Sequence, residues 1–236
     1  MTDHFCVISQ EMPDELKNNL QQSFTEVIAL PPDKDLAAPV RCHPDMIFAE
    51  LDGHLFVSAR YYEEHPAVME RIAVLGGMEI HPFTLLRNEI YPNDVAFNAA
   101  VFHRTLICRP DATCTALLDY AGSHGYRILA VKQGYTGCSC ILTDGAVLTS
   151  DRGIAKTLQR ENLPCILLPE GGISLPGYPC GFPGGAAGYH AGVIYICGNA
   201  EMLPCAPVLR EHGYRLQSLS DTPVTDYGGI KIFKRI

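Results

Sequence analysis

Nowhere does the sequence approach the ~20 consecutive apolar residues that a membrane-spanning helix requires. Its start, Met1-Thr2-Asp3-His4-Phe5-Cys6, has neither a basic region nor a long apolar core, so no secretory signal is expected. Positive charge is scarce: 18 lysines and arginines face 26 aspartates and glutamates, for a formal charge of -8. A protein that binds nucleic-acid backbone normally presents a basic face, so neither nucleic acid nor a membrane is an expected partner. Zinc-type spacing is also lacking. Among ten cysteines, Cys138-x-Cys140 is the one tight pair, and no second pair stands at finger or ribbon spacing. We expect no metal and no cofactor. The cysteines read as reduced thiols of a cytoplasmic protein.

What the chain does have is a core-forming composition and abundant turn residues. At 236 residues and 47% hydrophobic it can bury a large core, read as one domain over residues 1–236. Seventeen prolines and 21 glycines spread along it point to many short elements and exclude a long helical bundle.

These elements recur in a fixed order. Residues 46–51, the Asp52-Gly53 turn and residues 54–59 predict a hairpin, followed by a helix over 62–75 and a strand over 78–81. The order strand, strand, helix, strand returns with hairpins beginning near Val95, Ser139 and Ala186. The N-terminal segment is the same unit without its first strand, and residues 229–234 form a lone final strand. Pairing that strand beside residues 5–9 completes a fifth unit and removes an exposed sheet edge. The spacing predicts an α/β fold of pseudo-fivefold ββαβ repeats closed by the C-terminal strand. An ordinary α/β domain with accidental periodicity is the alternative.

Fivefold symmetry gathers the residues just before each first strand at one end of the axis. Those are His43 and Asp45, Asn93 and Asp94, Cys138, Gly184 and Gly185, and Asp226. Together they offer an imidazole, several carboxylates and a thiol. Each has a plainer reading. Cys138, after Gly134-Tyr135-Thr136-Gly137, is also placed to be a buried thiol at a strand start. His43 before Pro44 suits a loop histidine, and the aspartates suit turn caps. Gly184 and Gly185 permit close backbone packing or present amides to a ligand. Cys140 should share the strand face of Cys138 and serve packing.

Two segments carry a family resemblance. His43-Pro44-Asp45-Met46-Ile47-Phe48 resembles the His-x-Asp motif, and Tyr91-Pro92-Asn93-Asp94 leading into Val95 resembles the Pro-Asn/Asp segment, of the pentein or guanidine-modifying-enzyme superfamily. With Lys132-Gln133-Gly134-Tyr135, Gly181-Phe182-Pro183-Gly184-Gly185 and Asp226-Tyr227-Gly228-Gly229, most of the chain is similar to a bacterial branch of that fold. The resemblance implies a five-bladed α/β propeller.

It also implies a cysteine-dependent hydrolase or transferase acting on a guanidine or amidine C–N bond. Cys138 would be the nucleophile, His43 the acid–base group, and Asp45, Asn93, Asp94, Gly184, Gly185 and Asp226 the binders of a small cation. The pattern departs from the family's enzymes, whose catalytic cysteine lies near the C-terminus, and Asn98 stands where they carry an acid. That departure leaves open a catalytically silent pentein acting as a binding module, like the anti-association factor of the same architecture. A metal-binding reading through Cys138, Cys140 and His43 is the third.

Overall fold

The computed structural model describes residues 3–85 and 88–236, so Met1 and Thr2 of the expected leaderless start lie outside the described residues. Among the described residues no helix is long and apolar enough to cross a membrane.

Fifteen of the strands form five three-stranded sheets of one pattern. In each, the middle strand pairs antiparallel with one neighbour and parallel with the other. The first sheet places His4–Ser9 between Lys231–Lys234 and Val27–Leu30. The terminal pairing runs from His4 opposite Lys234 to Val7 opposite Lys231, which is the expected closure. The others are Phe48–Leu51, His54–Ser58 and Glu79–Phe83; Ala100–Phe102, Thr105–Cys108 and Arg127–Ala130; Cys140–Leu142, Val147–Thr149 and Cys165–Leu167; and Ala187–His190, Val193–Ile196 and Arg215–Ser218. A sixth, two-stranded sheet of Ile173–Ser174 and Val224–Thr225 was not expected; it ties the loop before Gly184 to the segment carrying Asp226.

Local chemistry explains the boundaries. Asp52 and Gly53 both take positive φ, 52° and 77°, the geometry of a two-residue hairpin turn. Asp151 caps Arg152–Arg160 by accepting from the Ile154 amide. The single helix expected over 62–75 is two, Ala59–Glu64 and Pro66–Gly76. Pro66 has no amide to donate and displaces His65 from the helical region, so the first helix stops there.

A second correction matters more for function. Two expected first strands begin late because a single helical turn precedes them, Pro44–Ile47 before Phe48–Leu51 and Thr136–Ser139 before Cys140–Leu142, and a third, expected from near Val95, begins only at Ala100. Cys138 therefore sits on a turn, not on a strand. It packs with Phe5, Met46, Leu55 and Val57, whereas Cys140 packs with Ala100, Phe102 and Val147.

The outer member of each hairpin, the first strand of each expected repeat, faces a shared space. One cavity of about 250 Å³ is lined by Phe48, Val101, Ile141, Gly188 and Ile232, one residue from each sheet.

Candidate active site

The short helical turns set the site. His43 immediately precedes the turn Pro44–Ile47, with Pro44 at its first position, and the amide of Asp45 donates to the Gly228 carbonyl at 3.3 Å. This brings the His43–Asp45 segment against the chain's closing loop. His43 Nδ1 lies 3.7 Å from Asp226 Oδ1. Gly228 makes that approach possible: its φ is +77°, and a Cβ there would stand 2.3 Å from the Cβ of His43.

Asp226 is anchored by two amides, Phe182 N–H on Oδ2 and Gly228 N–H on Oδ1, each at 2.9 Å. Gly185 lies so close that a Cβ would meet Asp226 Oδ1 at 2.1 Å. Its amide donates to the Cys138 carbonyl at 3.0 Å. The Gly185 amide is therefore engaged with the protein, which removes the expected role as a ligand donor. Gly184 packs on the carbonyls of Gly137, Cys138 and Cys140, so both glycines hold the Cys138 turn from behind.

Asn98, expected as the place of a missing acid, grips the thiol. Its Nδ2 donates to Cys138 Sγ at 2.9 Å and to Met46 Sδ at 3.1 Å, and its Oδ1 accepts from the Cys138 amide at 3.1 Å. Beside them lies Asp45, only 2% exposed. No N–H or O–H group of the described residues donates to either oxygen; the Cys138 thiol is a neighbour that eases its ionisation. A buried carboxylate with so little hydrogen bonding is costly and usually marks a ligand or proton site.

The electrostatics follow from burial. Desolvation raises the Asp45 carboxyl to about 6, against the lowering pull of Lys231 and the Cys138 thiol. Asp226 rises to about 7 through burial and then through Asp45. Cys138 is raised well above its ordinary value by burial and then by both carboxylates, while Asn98 opposes the rise. Burial lowers His43 to about 3, leaving a neutral imidazole. At rest the site holds a protonated thiol beside a neutral base.

Above Cys138, His43 and Asp226 is a pocket of about 160 Å³ walled by Tyr135, Tyr178 and Phe182. Among the described residues neither lysine nor arginine lines it. Asp94 is buried behind that wall, where its Oδ2 accepts from Tyr135 Oη at 2.6 Å; it steadies the wall and is not among the pocket-lining residues. Asn93 does not join the site at all. It is exposed, and its side chain reaches Asn88 at 3.5 Å, because the turn that buries Asp94 directs its neighbour outward. Asp45 opens instead to the central cavity, which Lys231 also lines, and so stands between the two spaces.

The sequence profile of a family of unknown function, DUF6873, matches residues 7–231. The chain belongs to the DUF6873 family. No curated protein sequence matches it. The DUF6873 chain is similar in structure to a dimethylarginine dimethylaminohydrolase from Pseudomonas aeruginosa complexed with citrulline, with TM-score 0.59, 9% identity and 98% of each chain covered. It is also similar to an inosamine-phosphate amidinotransferase from Streptomyces griseus, with TM-score 0.60, 14% identity and 94% of this chain covering 80% of the other. An amidinotransferase of the saxitoxin pathway from Microseira wollei matches with TM-score 0.57 and 10% identity over 95% of this chain and 81% of the other. These are pentein superfamily members, and this chain shares their mixed α/β fold.

Sequence reasoning placed His43, Asp45, Cys138 and Asp226, which the fold brings together. It missed Asn98 as the thiol's holder, and the aromatic wall. Tyr135 and Phe182 each lie within two residues of a glycine in the motifs noted above, a signal that could have drawn attention to them.

Proposed function

We propose that residues 1–236 form one five-bladed α/β propeller whose mouth is the active site of a thiol enzyme. It acts on a C–N bond of a small guanidine- or amidine-type cation. The observation that carries this reading is the pair of buried carboxylates, Asp45 and Asp226, flanking the Cys138 thiol with neither in an ion pair to lysine or arginine among the described residues. A planar cation supplies a positive charge between the two carboxylates and N–H donors for Asp45, while Asp226 keeps its two backbone amides. The cavity shared by the first strands of all five sheets supports the propeller.

The chemistry starts from a neutral thiol. Cation binding offsets the two carboxylates that raise Cys138, so the thiol ionises when substrate is present. Its proton passes to neutral His43 as the C–S bond forms at the amidino carbon. The C–N bond then breaks as His43 returns that proton to the departing amine, leaving a thiouronium on Cys138. Water, losing a proton to His43, adds to the same carbon, the thiol leaves with that proton, and the urea-type product gives up its remaining proton to the released amine. An amine in place of water gives transfer.

The test is labelling with 2-chloroacetamidine beside neutral iodoacetamide, mapped by peptide mass spectrometry. We expect the amidinium reagent to select Cys138 among ten cysteines and to lose that preference in Asp45→Asn. If Cys138 shows no preference for the cationic reagent over iodoacetamide, the enzyme reading fails; Cys180 lines the same pocket and is followed separately. One observation favours the second reading, a silent binding pentein: Cys138 is only 4% exposed. In that case the intact pocket binds the amidinium reversibly without a covalent adduct.

A further inference from the structure

We propose that His54, Glu79 and His81 form a binding site for one transition-metal dication of the zinc class, separate from the thiol pocket. The three side chains come from adjacent parallel strands, His54–Ser58 and Glu79–Phe83. Their register sets His54 opposite Glu79 and Phe56 opposite His81, so both histidines and the glutamate project from one face.

The ligand atoms already converge. His54 Nδ1 lies 2.7 Å from His81 Nε2. Glu79 offers one oxygen 3.8 Å from the first nitrogen and the other 3.6 Å from the second. All three ligand atoms lie within 4.8 Å of one another. Bonds of about 2.0–2.2 Å on a tetrahedral ion hold neighbouring ligand atoms roughly 3.3 Å apart. The carboxylate already stands near that separation. The two nitrogens share a proton in the metal-free chain and need to part by only about 0.6 Å to share an ion instead.

The rings are held for this by packing. Phe56 stacks on His81 with centroids 5.4 Å apart, and Tyr120 covers His54 at 4.7 Å. Side-chain exposures of 25% for His54 and 27% for His81 leave the nitrogens reachable, and Glu79 at 69% can close over an arriving ion. Glu50 and Asp52 lie close enough to add negative charge around it, opposed by Arg104. Two imidazoles and one carboxylate with a free position suit zinc, nickel or copper better than magnesium or calcium, which prefer oxygen alone. Bound there, the ion bridges an edge strand to the centre of its sheet.

Equilibrium dialysis of the full chain against zinc chloride, with cobalt absorption as a second reading, tests this. We expect one ion per chain. His54→Ala and His81→Ala should each weaken binding at least roughly tenfold, and Glu79→Gln about tenfold. Cys138→Ser should bind as wild type does. Saturating zinc should raise the melting temperature of wild type by roughly 5–10 °C and leave His81→Ala unmoved. Glu79 is too exposed for Glu79→Gln to threaten folding, so that variant speaks even if a histidine variant folds poorly. Absence of zinc binding by wild type overturns the proposal. So does undiminished binding in both histidine variants, which would place the metal on thiols such as Cys180.

Discussion

The molecule carries two clusters built from the same residue types, and they differ in burial. His43, Asp45 and Asp226 beside Cys138 are each at most 4% exposed. His54 and His81 are about a quarter exposed and Glu79 is mostly exposed. Desolvation drives the buried carboxyls up and the buried imidazole down, which fits the proton exchange and cation binding proposed there. The rim cluster keeps water at hand, and its geometry suits an ion instead. The same side chains take different chemistry because the fold sets their dielectric.

The strongest way to break the comparison is at the thiol. Cys138→Ser should lower turnover of any guanidine or amidine found to be a substrate by at least roughly 10³-fold, whereas Glu79→Gln should leave it unchanged in steady-state assays.

Next is the pH dependence of stability. Asp45 and Asp226 keep their protons to about 6 and about 7 in the fold, against an ordinary value of 3.8. The stability these groups contribute is complete below their unfolded value and is lost as pH rises through the folded ones. His43, lowered from 6.5 to about 3, acts oppositely: its contribution is present above its unfolded value and is lost as pH falls through the folded one. Two carboxyls outweigh one imidazole, so the part of stability set by this cluster should fall between about pH 4 and 7. Asp226→Asn should flatten that slope in urea titrations. An unchanged slope in the variant would show that the buried acids do not titrate as described.

A smaller effect is expected at Asn98. Asn98→Ala leaves the Cys138 amide buried without its acceptor and should cost about 1–3 kcal/mol in urea unfolding. Tyr135→Phe, which removes the 2.6 Å hydrogen bond to Asp94, should cost about 1.5 kcal/mol. At the exposed end of the scale, Asn93→Ala and metal-free Glu79→Gln should stay within about 0.5 kcal/mol of wild type. A larger loss at Asn93 would mean that its side chain belongs to the site after all.

Much of this was legible in the order of residues, and the misses share a cause. Hairpins with strong turn chemistry, such as Asp52-Gly53, were placed well because two residues suffice to specify the turn. The pattern extends the strands back over Met46, Ile47 and Ser139, the ends of the entry turns Pro44–Ile47 and Thr136–Ser139, because four residues carry too little periodicity to declare a helix. That slip put Cys140 on the face of Cys138, when the two pack in different parts of the core. It also hid Asn98, whose role depends on where the Cys138 turn points.

Sequence alone determined the order of the repeat and its closure by the segment 229–234, and it pointed to His43, Asp45, Cys138 and Asp226 together with Asn93, Asp94, Gly184 and Gly185, because each rests on local pattern or fixed spacing along the chain. Only the tertiary structure decided which polar groups are buried together and which of them lack partners. It also decided that His54 and His81, 27 residues apart, meet at 2.7 Å. Those outcomes depend on register and packing between segments distant in sequence, which no local pattern encodes.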